Sequence, residues 1–203
     1  MMFTLHMFLK MHTPCKLIIS LVVATASVTL LQSSVHAQAL FCNPTSRNTL
    51  KGFIEPTDGV GPLTSNHGGD YLYADDVAAP RGTRVKAMRA GTVVYTQDGF
   101  PDTGGGESNF KRTNLVNVRY DDGPDCGSVQ GDRKYYSLYL HLKQGSVKVK
   151  KGDRIAAGTV IGEVGNSGWS TGYHLHVEVN LSTGPNWWNR KTVPYVWTSG
   201  RNK

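Results

Sequence analysis

Long apolar runs are scarce in this 203-residue chain, and the longest, Leu17 to Leu31, falls short of the roughly 20 residues that a membrane-spanning helix needs. Acidic residues are missing altogether from residues 1–37, where Lys10 and Lys16 stand before the apolar run and the small-residue site Val35-His36-Ala37 follows it. That layout predicts a secretory signal peptide over 1–37, cleaved after Ala37 or Ala39, in preference to an anchor. The mature product is therefore expected to be exported, to the periplasm or the extracellular space, with no stable membrane span. Cysteine is rare as well. Phe41 before Cys42 is too bulky for a lipoprotein box, and once Cys15 leaves with the leader only Cys42 and Cys126 remain. An even pair in an oxidising compartment predicts one disulfide.

Helical periodicity is the next absence, since no window after the leader sustains it for three turns. Short runs rich in Val, Tyr, Ile and Leu alternate with Gly-containing turns instead, which reads as strands at Thr83–Lys86, Gly91–Gln97, Leu115–Tyr120, Tyr135–Leu142, Arg154–Ala156, Val160–Val164 and His174–Asn180. The fold class expected is all-β: an antiparallel β-sandwich or small barrel-like core with long loops rimming a groove. Residues 38–60, polar and aperiodic, are expected to form an N-terminal arm, and 61–203 one domain. Its C-terminal tail carries Trp187, Trp188 and Trp197, which favours packing over flapping. The polar, Gly-rich segments 98–114 and 121–134 read as loops of a functional rim. No internal repeat or coiled coil is present, and no nucleic-acid-reading motif. The mature charge, 20 basic against 15 acidic residues or +5, is scattered. It suits an anionic polymer outside the cytoplasm, such as cell wall, better than nucleic acid. A monomer is expected.

What the mature chain does have is four histidines in telling places: His67, His141, His174 and His176. In GYHLHVEV, side chains alternate between faces, so His174 and His176 share one face while Leu175, Val177 and Val179 share the other. The apolar face is expected to enter the core and the imidazole face to look into a site. In YSLYLHL the same alternation puts Tyr139 with His141, and Leu138, Leu140 and Leu142 on the opposite face. Unpartnered polar groups on a partly buried face are costly, and imidazole is both the commonest metal ligand and the usual proton shuttle near neutral pH. A catalytic zinc site needs three protein ligands and an open position, which directs attention to a carboxylate near His67. Asp70, Asp75 and Asp76 are the candidates, and spacing alone does not choose between them. Glu178, on the histidine face, is a candidate for holding an imidazole in place.

HGGDYLYADDVAAPRGTRVKAMRAGTVV, then YLHL, then KGDRIAAGTVIGEVGNSGWSTGYHLHVEV resemble, in order, the signature blocks of the lysostaphin-type zinc metallopeptidases, also called the LytM family. The resemblance covers roughly residues 61–180. It implies one Zn2+ per chain held by His67, Asp76 and His176, with His141 and His174 as catalytic histidines that are not ligands. Asp76 is the aspartate in register, because DVAAPRGTRV follows it. Two departures stand out: eight residues separate His67 from Asp76 where many members have three, and Tyr173 precedes HLH where a small residue is frequent. The activity implied is an exported zinc-dependent endopeptidase acting on peptide cross-links or stem peptides of bacterial peptidoglycan. Two other readings compete. One is a non-catalytic peptidoglycan-binding or amidase-activating module of the same fold, which the complete set of five residues disfavours. The other takes KGDRIAAGTVIGEV as a lipoyl- or biotin-carrier hairpin, but no lysine occupies a carrier-like turn.

Overall fold

The computed structural model describes residues 50–58, 61–64, 67–120, 134–182 and 186–200. The expected signal peptide and both cysteines of the expected disulfide lie outside them. Among the described residues no helix is long and apolar enough to cross a membrane.

The described chain is nearly all β, as its strand-length apolar runs predict. Eleven strands follow in order: β1 Leu50–Phe53, β2 Asp75–Ala78, β3 Arg84–Lys86, β4 Gly91–Gln97, β5 Leu115–Arg119, β6 Lys134–Leu140, β7 Arg154–Ile155, β8 Val160–Glu163, β9 His174–Ser182, β10 Arg190–Thr192 and β11 Tyr195–Trp197. Only two short 3-10 turns, Gly69–Tyr71 and Glu107–Asn109, interrupt them. The main sheet runs β10-β9-β6-β5-β4-β7, with β2 also paired to β9. All its ladders are antiparallel. β3 and β8 form a separate antiparallel pair, while β1 and β11 pair in parallel.

One face of the main sheet packs on β3, β8, β1 and β11. Val93, Val116, Val118, Tyr139, Leu175, Val177 and Val179 meet Val85, Ile161, Phe53, Tyr195 and Trp197 in one buried cluster. Burying apolar side chains of this size is worth about 1.5–3 kcal/mol each, so this cluster is what holds the sheets together. The period-2 reading of GYHLHVEV agrees with this arrangement, because its three apolar residues all enter the core.

Two readings change. Residues 50–53, taken with the polar arm, form a strand whose Leu50 and Phe53 belong to the core, and β1 docks on the C-terminal tail. Four residues are too few to reveal a period, and the pairing partner lies over 140 positions away in sequence. The second change concerns YSLYLHL. Tyr139 sits opposite Val177 on the core side, whereas Leu138 and Leu140 sit opposite Glu178 and His176, on the site side. There they form a smaller cluster with Leu115 and Trp187. β6 ends at Leu140, and His141 adopts φ +63°, the left-handed region that a bulky residue rarely enters. Strict alternation would send His141 to the core with Tyr139. The backbone turn sends it to the site and returns Leu142 to the main core instead.

Candidate functional site

Strand register brings the polar residues together. Asp76 lies directly across from His176 in the β2–β9 ladder, so both point to the face opposite Val177 and Leu175. Asp75, one residue earlier, points into the core, where Tyr195 donates its hydroxyl hydrogen to Oδ2 at 2.6 Å. Asp70 sits exposed in the first 3-10 turn. Of the three candidate carboxylates, only Asp76 reaches the histidines. The long spacing from His67 to Asp76 is taken up by that turn, which Thr192 pins by donating to the Asp70 carbonyl and accepting from Tyr73 N. His67 Nε2 is thereby 3.2 Å from Asp76 Oδ1.

Asp76 Oδ1 also lies 2.9 Å from His176 Nδ1, and Asp76 Oδ2 lies 3.7 Å from His174 Nε2. The ring centroids of His67 and His176 are 4.9 Å apart, and those of His141 and His174 4.7 Å apart. His67, Asp76 and His176 offer one ligand atom each within 4.8 Å of one another, and this set could hold a metal ion. They share a cleft of about 420 Å³ with His141, His174, Tyr71, Phe110, Leu140 and Trp169. Phe110 comes from the 98–114 loop, the segment read as a rim. Tyr139, expected on the face of His141, is in the core, where its hydroxyl oxygen accepts from Met88 N at 2.7 Å.

Backbone carbonyls set the tautomers of the two remaining imidazoles. His141 Nδ1 lies 2.7 Å from the Ser167 carbonyl, and His174 Nδ1 lies 2.9 Å from the Gly172 carbonyl. A carbonyl only accepts, so each Nδ1 carries a hydrogen, and in the neutral ring Nε2 is the nitrogen that keeps a lone pair. The turn at His141 is held by the end of the 98–114 loop. Thr113 Oγ1 accepts from His141 N at 3.2 Å and donates to the Ser167 carbonyl at 3.3 Å. Asn114 donates from Nδ2 to the Leu142 and Phe100 carbonyls.

The charges are strongly coupled. Burial alone would raise Asp76, but hydrogen bonds from His176 and His67 overcome it and hold the carboxyl well below the usual range. Burial opposes a charged His176, yet Asp76 and Glu178 together raise it to about 9. His141 is driven down to about 3, first by burial and then by its histidine neighbours, and is a neutral imidazole. Glu178, fully buried, is held at about 2: burial is outweighed by the charge of Arg190 and by His176.

The family profile described as Peptidase family M23 matches residues 71–186, more than half of the chain. The chain belongs to this family. The matched stretch contains Asp76, His141, His174, His176 and Glu178, while His67 and Arg190 fall outside it and take their places from geometry. Among the proteins it is similar to, lysostaphin of Staphylococcus simulans is 29% identical over 145 residues, covering 71% of this chain and 25% of its own length. Glycyl-glycine endopeptidase ALE-1 of Staphylococcus capitis is 30% identical, covering 70% of this chain and 33% of its own. The chain thus spans a quarter to a third of the length of these relatives. The catalytic domain of S. simulans lysostaphin aligns with 68% of this chain and 88% of its own at 27% identity, with a TM-score of 0.42.

Arg190, Thr113 and Ser167 are site residues that the sequence reading missed. Thr113 and Ser167 lie 28 and 26 residues from His141, and Arg190 lies 12 residues from Glu178, none of them in a run whose period points to the site. Glu178 was within reach of the alternation rule, and Asn180, the next residue on that face, could have been found in the same way.

Proposed function

We propose that this protein is an exported, monomeric zinc endopeptidase that hydrolyses peptide cross-links or stem peptides of bacterial peptidoglycan. His67, Asp76 and His176 would hold one zinc per chain, and His141 and His174 would act on the substrate. The observation that carries the reading is the convergence of these five groups on one cleft. Two imidazole nitrogens and one carboxylate oxygen are the donor set of a catalytic zinc site, which keeps a position open. A bound zinc would act as a Lewis acid on the scissile carbonyl and acidify water beside it.

The chain's own residues supply the proton transfers. His141 and His174 both turn Nε2 to the cleft, and either one, as the neutral imidazole, accepts the proton of the attacking water as its oxygen bonds to the carbonyl carbon. The imidazolium formed lies beside the developing oxyanion and favours it. It then gives the proton to the amide nitrogen as the C–N bond breaks, which returns the imidazole to its starting form. The rim supplied by Phe110 and Trp169 narrows the cleft for an extended peptide.

Peptidoglycan as the substrate class is supported by family membership and by relatives such as the peptidoglycan DD-endopeptidase ShyA of Vibrio cholerae, 34% identical over 129 residues and matched along 26% of its length. A non-catalytic module would have no use for two tautomer-fixed imidazoles beside the ligand set. The test is digestion of purified muropeptides, some cross-linked directly and some through glycine bridges, with and without a chelator, with products identified by mass. Chelator-sensitive cleavage of either kind is expected. Intact muropeptides after zinc loading would refute the reading.

A further inference from the structure

We propose that Glu178, clamped by Arg190 and Asn180, is a positioning residue that fixes which nitrogen of His176 faces the metal: it holds the hydrogen on Nε2, leaving Nδ1 as the ligand atom. This inference rests on the zinc reading above. The two-residue period of β9 sets His176, Glu178 and Asn180 in a row on one face, and β10, antiparallel beside it, brings Arg190 within reach. Glu178 Oε1 accepts from Arg190 Nε and from Asn180 Nδ2, the latter at 2.9 Å. Its Oε2 accepts from Arg190 Nη2 at 3.0 Å and faces His176 Nε2 at 3.1 Å. Four donors on two oxygens leave the carboxylate no freedom to turn. An ionised carboxylate only accepts, so the hydrogen between Glu178 and His176 belongs to Nε2. The opposite nitrogen, Nδ1, is the one that meets Asp76.

The arrangement makes little sense as a stability device. Glu178 is fully buried and Arg190 nearly so. The desolvation of such a pair commonly outweighs its attraction, and apolar replacement of both members is often neutral or stabilising. Arg190 Nη1 is moreover buried without a hydrogen-bond acceptor among the described residues, while the guanidinium lies over the rings of Tyr71 and Trp187 at 4.8 and 5.5 Å. What the pair supplies, and two apolar side chains would not, is a rigid acceptor for one imidazole N–H. Such outer partners orient metal-binding histidines and raise their basicity.

The test measures zinc affinity of the purified metal-free protein by competition with a chromophoric chelator, alongside the absorption spectrum of the Co2+-loaded form. Glu178→Ala would strand a buried cation and melt early, so the informative variants are Glu178→Gln and the double variant Glu178→Met with Arg190→Met. The double variant is expected to fold, to melt at or above the wild-type temperature, and to bind zinc roughly 10- to 100-fold more weakly with an altered Co2+ spectrum. Glu178→Gln, whose amide oxygen still accepts from Nε2, is expected to fall between it and wild type. Wild-type affinity and spectrum in a folded double variant, or in Glu178→Gln if the double variant does not fold, overturn the proposal and leave the zinc reading standing. A wild-type protein that takes up no zinc overturns both.

Discussion

Thr113→Val isolates the contact that holds His141 in its left-handed conformation. Valine keeps the shape of threonine and removes only the hydroxyl, which accepts from His141 N at 3.2 Å in a site where Thr113 is 1% exposed. The Ser167 carbonyl keeps its bond from His141 Nδ1, so the one group newly unpaired is the His141 N–H. Leaving a buried donor unsatisfied costs about 1–3 kcal/mol. For a domain of this size that lowers the melting temperature by about 2–12 °C. A left-handed non-glycine residue itself carries about 1–3 kcal/mol of strain. With its anchor gone the backbone relaxes towards the extended form, which points the imidazole to the core side. The strain that the bond offset then disfavours the competent form by about 1–3 kcal/mol, so its population and with it kcat fall about 5- to 150-fold. Zinc content stays unchanged, because the ligand set His67, Asp76 and His176 is not altered. Steady-state muropeptide cleavage, calorimetric melting and metal analysis read the three quantities. Thr113→Ser restores the acceptor and should recover most of the activity. Full turnover in Thr113→Val, or a Thr113→Ser variant as impaired as it, refutes the account of how His141 reaches the site.

Further expectations follow from the same geometry. Gly168→Ala meets two obstacles, since Gly168 has φ +84° and an added Cβ would sit 2.5 Å from Thr113 Cβ; it should lose activity along with at least about 1 kcal/mol of stability, read by denaturant titration, and a neutral result would show that this loop yields easily. Asp76→Asn or His67→Ala should reduce zinc uptake below stoichiometric, whereas His141→Ala should retain zinc and lose turnover, as separated by metal analysis and cleavage assays. In metal-free protein His176 is raised to about 9 from 6.5, so its stabilisation is complete below pH 6.5 and is lost as pH rises through 9. Glu178 is lowered to about 2 from 4.5, so its stabilisation is present above pH 4.5 and is lost as pH falls towards 2. His141 is lowered to about 3 from 6.5, so the stability of keeping it neutral is present above pH 6.5 and is lost as pH falls towards 3. The melting temperature of the metal-free form should therefore peak near pH 6.5, followed by circular dichroism; constancy from pH 6.5 to 9 would contradict the coupling of His176 to its two carboxylates. Zinc binding near pH 7 should release a proton from His176, measurable by titration calorimetry in buffers of different ionisation enthalpy.

Much of this protein was legible along the chain because a strand's side chains alternate with a period of two, a property of the backbone that needs no partner. That alternation alone assigned His174 and His176 to one face and Leu175, Val177 and Val179 to the core, and it put Glu178 beside the histidines. The strand-length runs and their turns likewise announced an all-β fold. Contacts between distant segments decided the remainder. His141 reaches the cleft only because a left-handed turn, tied down by Thr113 and Ser167, breaks the alternation that would have buried it with Tyr139. Asp76 was separated from Asp75 by its register against β9, and His67 reached it through a turn pinned by Thr192, more than a hundred residues away. The burial of Leu50 and Phe53 depended on the tail strand, and Arg190 acquired its meaning from Glu178. Local periodicity can state which side a residue faces; which other residue waits there is set by pairing between segments that the chain order keeps apart.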